Sequence, residues 1–147
     1  MKKIVLDANI LIKLFREESD STIAFDLFEY LIKNQIHILA PELLITETMD
    51  VCISKGMDIT EICHFFEKQI DITIIMQKIT PVLLNVTSQM AKDGHPKSGY
   101  PSFNDSLYHC LAIQQKTVLI TADKVHLNKT KKYGHIFLLK DWRKIIK

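Results

Sequence analysis

Glycine and proline are scarce in this chain, four of each among 147 residues. Such scarcity argues against a disordered or linker-rich protein, and against all-β sandwiches with their many tight turns. Cysteine occurs three times, as Cys52, Cys63 and Cys110, with no C-x-x-C spacing. Isolated thiols give neither a disulfide framework nor a zinc site, and they suit a reducing compartment. A dominant charge is lacking too: the formal net charge is +2, too mild by itself to announce a nucleic-acid partner. No apolar run approaches the roughly 18 residues of a membrane span. The opening "MKKIVL" imitates the basic start of a signal peptide, but Asp7 and Asn9 interrupt the apolar stretch that would have to follow. The expectation is one cytoplasmic domain spanning residues 1–147, with 47% hydrophobic and 24% charged residues.

What is present is an alternation. Ile4–Leu6, Ile36–Ala40, Ile72–Ile75, Thr117–Thr121 and His135–Leu139 are short apolar runs of the kind that form fully buried strands. Helical spacing lies between them. Ala24, Leu27, Phe28 and Leu31 share a face, as do Ile59, Ile62, Cys63 and Phe66, and again Ile79, Val82, Leu83, Val86 and Met90. Pro41 suits a first helical turn and predicts a helix from there to about Lys55. The class is α/β, a parallel sheet covered on both sides. Asp93–Pro101, "DGHPKSGYP", holds two of the four glycines and two of the four prolines and reads as a turn-rich loop between helices.

Four acids stand at the ends of these elements or, for Glu47, on the helix that follows a strand, and each has a plain structural reading. Asp7 ends the first strand, and it or Asn9 can cap the next helix. Glu47 has Leu43, Leu44 and Val51 as helical neighbours, so it either points into the core or lies at its edge, and if buried it needs a partner. Asp50 could share its face, and Glu42 suits the positive end of that helix. Ser102 with Asp105 forms a capping box opening a helix whose inner face is Phe103, Leu107, Cys110 and Leu111. Asp123 follows the fourth strand as a possible N-cap. The set is harder to dismiss than its members. In a doubly wound sheet the carboxyl ends of the strands open on one rim, so the four acids gather there. Gathered carboxylates repel unless a cation neutralises them, and oxygen ligands suit Mg²⁺ or Mn²⁺.

In "LDANILI", "APELLITET", "FNDSLYHCLA" and "LITADK", taken in order, the chain resembles PIN-domain ribonucleases, most closely the toxins of VapBC-type toxin–antitoxin pairs. The resemblance covers nearly the whole chain. It implies a three-layer α/β/α sandwich with a five-stranded parallel sheet of order 3-2-1-4-5, placing Asp7 and Thr121 on adjacent strands. It implies Asp7, Glu47, Asp105 and Asp123 as catalytic, metal-holding acids, with Asn9 and Thr121 in support. It further implies one or two Mg²⁺ or Mn²⁺ ions, RNA phosphodiester hydrolysis, a small antitoxin partner and a homodimer.

A nuclease needs cations beyond its acids to hold phosphates. Candidates are Lys13 and Arg16, Lys97 in the loop, and Lys124, Lys129, Lys131 and Lys132 around the last acid. Tyr100 and Phe103 could stack on unpaired bases, although core packing is the expectation for Phe103. His109 and His126 each share a face with an acid, but no third nitrogen or sulfur ligand stands at zinc spacing. Two rival α/β classes fit worse. A haloacid-dehalogenase phosphatase needs a second acid where Asn9 stands, and a receiver domain needs an aspartate where Met76 and Gln77 stand. Two alternatives remain: a PIN nuclease that processes RNA outside any toxin–antitoxin pair, and a PIN-like binding module without turnover.

Overall fold

The structure, a computed structural model, describes residues 1–146. Five short strands form at or near the apolar runs: β1 (Lys3–Leu6), β2 (His37–Pro41), β3 (Ile74–Gln77), β4 (Leu119–Thr121) and β5 (Ile136–Leu138). Every pairing is parallel, and the order is β3-β2-β1-β4-β5. Ile4, Val5 and Leu6 of the central strand are wholly buried, as a strand covered on both faces requires. The order reverses between β1 and β4, and the chain leaves both strands at the same rim.

Eight helices flank the sheet among the described residues: α1 (Ala8–Ile12), α2 (Ser21–Lys33), α3 (Leu43–Ser54), α4 (Ile59–Gln69), α5 (Pro81–Lys92), α6 (Phe103–Gln114), α7 (Lys124–Thr130) and α8 (Trp142–Ile145). The result is a three-layer α/β/α arrangement. α6 packs on β1, β2 and β4, with α5 over it, while α1 lies against α3 and β4. Local chemistry sets the boundaries. The Leu83 N–H donates to Thr80 Oγ1 at 3.2 Å ahead of Pro81 at the first helical position, and the Thr60 N–H donates to Asp58 at 2.9 Å. Glycine scarcity shows at the other ends. α3 stops on left-handed Gly56, but α2 and α6 stop on Gln35 (φ 54°) and Lys116 (φ 51°). A left-handed non-glycine residue costs roughly 1–2 kcal/mol, so packing of α2 and α6 must offset it.

Several local expectations shift. The third strand lies two residues later than Ile72–Ile75, because Asp71 turns at φ 65° and the Thr73 N–H bonds back to the Gln69 carbonyl at 2.9 Å, which leaves Ile72 exposed. Pro41 ends β2 rather than opening α3. Pairing with β1 stops at Leu39, so its missing N–H breaks no bond on that side. On α5 the buried stripe is Leu83, Thr87 and Met90; Val82 and Val86 face outward and Ile79 precedes the helix. As the outer helix of its layer, α5 needs only a narrow stripe. Cys63 and Phe103 are likewise exposed, not inward.

Lys13 is removed from the RNA-contact candidates. Its side chain is buried, and its ammonium pairs with Asp20 at 2.8 Å and contacts Glu18. Burial pushes its pKa down, but the two carboxylates outweigh that and hold it raised. The triad ties α1 to the start of α2. Both acids are about a third exposed, so solvent weakens the pairing. Lys13→Ala should therefore lower stability by about 1–3 kcal/mol at neutral pH, measured by urea unfolding. An unchanged midpoint would remove this structural role.

Candidate active site

Asp7 is the node of the rim. It directly follows β1, and its backbone N–H donates to the Ile120 carbonyl of β4 at 3.1 Å. Its side chain caps α1, accepting the Asn9 backbone N–H at 3.3 Å. The other oxygen, Oδ2, accepts the Thr121 hydroxyl at 2.7 Å and Asn9 Nδ2 at 2.8 Å. Asn9 Oδ1 in turn accepts the Ala122 N–H at 3.1 Å, closing a small net across β1 and β4. The helix cap is thus Asp7, and Asn9 is a bridge, not a cap. Asp7 is 4% exposed. Burial pushes its carboxyl up to about 7, against the pull of the Thr121 and Asn9 bonds and with added repulsion from Asp105 and Glu47.

Glu47 and Asp105 complete this cluster. Glu47 is half-buried on α3 and accepts the Tyr108 hydroxyl at 2.7 Å. Burial raises its pKa, Tyr108 and Asn104 hydrogen bonds oppose that, and Asp105 adds repulsion. Asp105 lies at the start of α6, where its N–H donates to Ser102 Oγ at 3.1 Å and its Oδ2 accepts that hydroxyl at 2.6 Å. The capping box is therefore real, yet Oδ1 is left over. Tyr108, held by burial and the Glu47 bond in its neutral form, and Asn104 were not singled out by sequence. One signal was available, since Tyr108 stands three residues after Asp105 on the same helical side.

Asp123 joins the site differently. It caps α7, its Oδ1 accepting the Val125 and His126 N–H groups at 2.8 and 2.9 Å. Its own N–H donates to Thr121 Oγ1 at 3.0 Å, the hydroxyl that serves Asp7. It is not among the charges that shift Asp7; its field and that of Asp105 meet at His126. His126 and His109 are buried with ring centroids 5.6 Å apart, and burial lowers both pKa values, that of His109 to about 4. His109 Nε2 pairs with the Gly134 carbonyl at 2.6 Å. His109 Nδ1 and both ring nitrogens of His126 are buried without a hydrogen-bond partner among the described residues.

Among the described residues, no three His, Cys, Asp or Glu side chains converge as a ready-made ion cage. The donor chemistry nonetheless fits a hard divalent cation. The available atoms are carboxylate oxygens; burial first, and then repulsion from Asp105 and, at Asp7, from Glu47, disfavour the ionised forms of Asp7 and Glu47, a penalty a cation would relieve. Among the cation candidates, Arg16, Lys97 and Lys124 are exposed, with Arg16 4.0 Å from Glu18. Lys129 donates to the Tyr100 carbonyl and Lys132 pairs with Asp93.

No protein-family model matches the sequence, and no curated protein matches it. Solved structures do share its architecture. VapC20 of Mycobacterium tuberculosis, described as a sarcin-ricin loop cleaving toxin, superposes with TM-score 0.67 at 12% identity, covering 90% of this chain and 95% of its own. A chain of VapBC2 from Rickettsia felis, solved bound to a promoter DNA fragment, gives 0.64 at 17%, covering 92% and 96%. A PilT N-terminus domain protein of Sulfolobus solfataricus P2 gives 0.53 at 16%, covering 99% and 94%. The fold is PIN-like, that of the VapC proteins.

Asp7 makes a pH prediction. The folded carboxyl holds its proton to about pH 7, whereas the unfolded one releases it near 3.8. As pH rises between those values the unfolded chain loses its proton first, so metal-free stability falls. Asp7→Asn keeps an acceptor for Thr121 and never ionises. In EDTA, the variant should match wild type near pH 4 and exceed it by about 2–4 kcal/mol at pH 8, read from urea titrations. A gap independent of pH would show that Asp7 is ionised without strain.

Proposed function

We propose that this chain is an Mg²⁺- or Mn²⁺-dependent endoribonuclease and the toxin of a toxin–antitoxin pair. The observation carrying this reading is a buried acid, Asp7, lying within the electrostatic reach of Glu47 and Asp105 where β1 and β4 part, although the three do not form a closed cage. A buried acid beside two partly buried ones carries a cost that its hydrogen bonds to Thr121 and Asn9 offset only in part. The likeness of the fold to the VapC20 and VapBC2 structures supports the toxin assignment and an antitoxin partner. Homodimerisation belongs to the same reading, and exposed Val82 and Val86 on α5 offer uncharged surface for it. No helix among the described residues is long and apolar enough to cross a membrane.

Asp7, Glu47 and Asp105 would hold the cation, with Asp123 at the edge of the set. When bound, such an ion polarises a phosphoryl oxygen and lowers the pKa of its water. The protein's share is orientation. Asn9 and Thr121 fix Asp7 Oδ2, while Oδ1, which accepts the Asn9 backbone N–H at 3.3 Å, keeps a second lone pair for ligation. Tyr108 and Asn104 fix Glu47, and the Ser102 box fixes Asp105. Arg16, Lys97 and Lys124 face solvent, available to phosphates.

Purified protein should cleave RNA with Mg²⁺ or Mn²⁺ and stop in excess EDTA. Asp7→Asn and Asp105→Asn should each lower the rate by about 10²–10³, as for loss of a main electrostatic group. Persisting cleavage in EDTA, or full activity of folded Asp7→Asn protein, contradicts the proposal.

A further inference from the structure

One surface beside the acid rim is unused by the acids. The loop between α5 and α6 packs toward α7, leaving a trough of about 400 Å³ lined by Gly94, His95, Gly99, Val125, Asn128 and Lys129, among others. Tyr100 (48% exposed) directly follows Gly99 of the lining, and Phe103 (40%) stands three residues further on, so two large rings are exposed in the segment leaving the trough. Phe103 is the first residue of α6, two before Asp105, and Lys124 directly follows Asp123. The patch is thus joined through the chain to two of the acids, Asp105 on α6 and Asp123 at the start of α7.

Exposed aromatic rings cost free energy in water, and these two are held in place by a built backbone. The Gly99 N–H donates to the His95 carbonyl at 2.7 Å and the reverse bond is 3.2 Å. Lys129 Nζ donates to the Tyr100 carbonyl at 3.1 Å, Pro101 is buried, and Ser102 caps α6. Gly94 allows the closure. A Cβ there would stand 2.6 Å from the Gly99 oxygen and 2.7 Å from the Tyr100 Cα, so the loop folds this tightly only with glycine. Lys97 and Lys124 are exposed, and among the described residues no ion pair or hydrogen bond engages their ammonium groups.

We propose that Tyr100 and Phe103 form a stacking platform for unpaired bases, flanked by Lys97 and Lys124 as phosphate contacts, which selects single-stranded RNA. The inference deepens the nuclease reading and rests on it for the choice of RNA. Rings need an exposed base face, which a paired helix hides inside its stack. The lysines supply the complementary charge. Because the loop is already ordered, little conformational freedom is lost on binding. Bases stacked there lead the strand toward Asp105, which gives the platform its place beside the reaction.

The test is fluorescence anisotropy in EDTA and low salt, where binding is read without cleavage, using a labelled RNA lacking self-complementarity and the same RNA in a duplex. Wild type should prefer the single strand. The double variant Tyr100→Ala/Phe103→Ala should bind it about tenfold or more weakly, whereas Tyr100→Phe/Phe103→Tyr should stay within about threefold. Lys97→Ala should weaken single strand and duplex alike and reduce the salt slope by about one. Circular dichroism should show all variants folded, since the altered groups are exposed. Single-strand affinity of the alanine pair within about twofold of wild type overturns the platform, the outcome expected if the rings serve a protein partner. Equal affinity for duplex, or no RNA binding by wild type, overturns it as well. Platform-dependent binding without cleavage in Mg²⁺ would refute the nuclease reading alone. Cleavage with platform-independent binding would refute the platform alone.

Discussion

The Thr121 hydroxyl donating to Asp7 Oδ2 at 2.7 Å ties the ends of two adjacent strands through a carboxyl that burial disfavours as an anion. The rim is arranged around this contact. The same hydroxyl accepts the Asp123 N–H, and Asn9 crosses from Asp7 to the Ala122 N–H. The start of α1, the end of β4 and the start of α7 are thereby held as one unit. An asparagine could make much of this net without a charge. What an aspartate adds is the ability to carry a negative charge where Glu47 and Asp105 already bring theirs.

The acids serve both fold and site because each carboxyl has two oxygens. Asp105 Oδ2 and Asp123 Oδ1 are occupied by their helix termini, and Glu47 Oε2 by Tyr108. A capping role therefore does not compete with cation binding. It fixes one oxygen and so orients the other, lowering the conformational cost of ligation. The gathering still costs stability wherever the acids ionise unneutralised. A scaffold module under no demand for negative charge would have no reason to keep that cost.

The sheet was legible because buried parallel strands are nearly continuous apolar runs, and "KIVL", "HILA" and "VLIT" are of that kind. Asp7, Glu47 and Asp105 were legible as a set because strand order brings their elements to one rim. What escaped was mostly side-chain direction. Phe103 looked inward by periodicity, yet it is the first residue of α6, where the capping box rather than the core sets the chain's direction. Lys13 looked like free charge until the turn after α1 folded Asp20 and Glu18 over it. The Glu47–Tyr108 bond joins residues 61 apart, and no local pattern encodes it. Ile72 was misplaced because Asp71 adopts a left-handed turn without being a glycine.

A cation at this rim would turn the least favourable electrostatics of the fold into its working feature, and that is the account's central claim. Its most direct test is a crystal structure in Mn²⁺ with anomalous scattering recorded at the manganese edge. The account predicts a peak about 2.1 Å from a carboxylate oxygen of Asp7, with Asp105 or Glu47 as a second ligand directly or through water. Ordered carboxylates with no peak among them at saturating Mn²⁺, or a peak only elsewhere on the molecule, would contradict it.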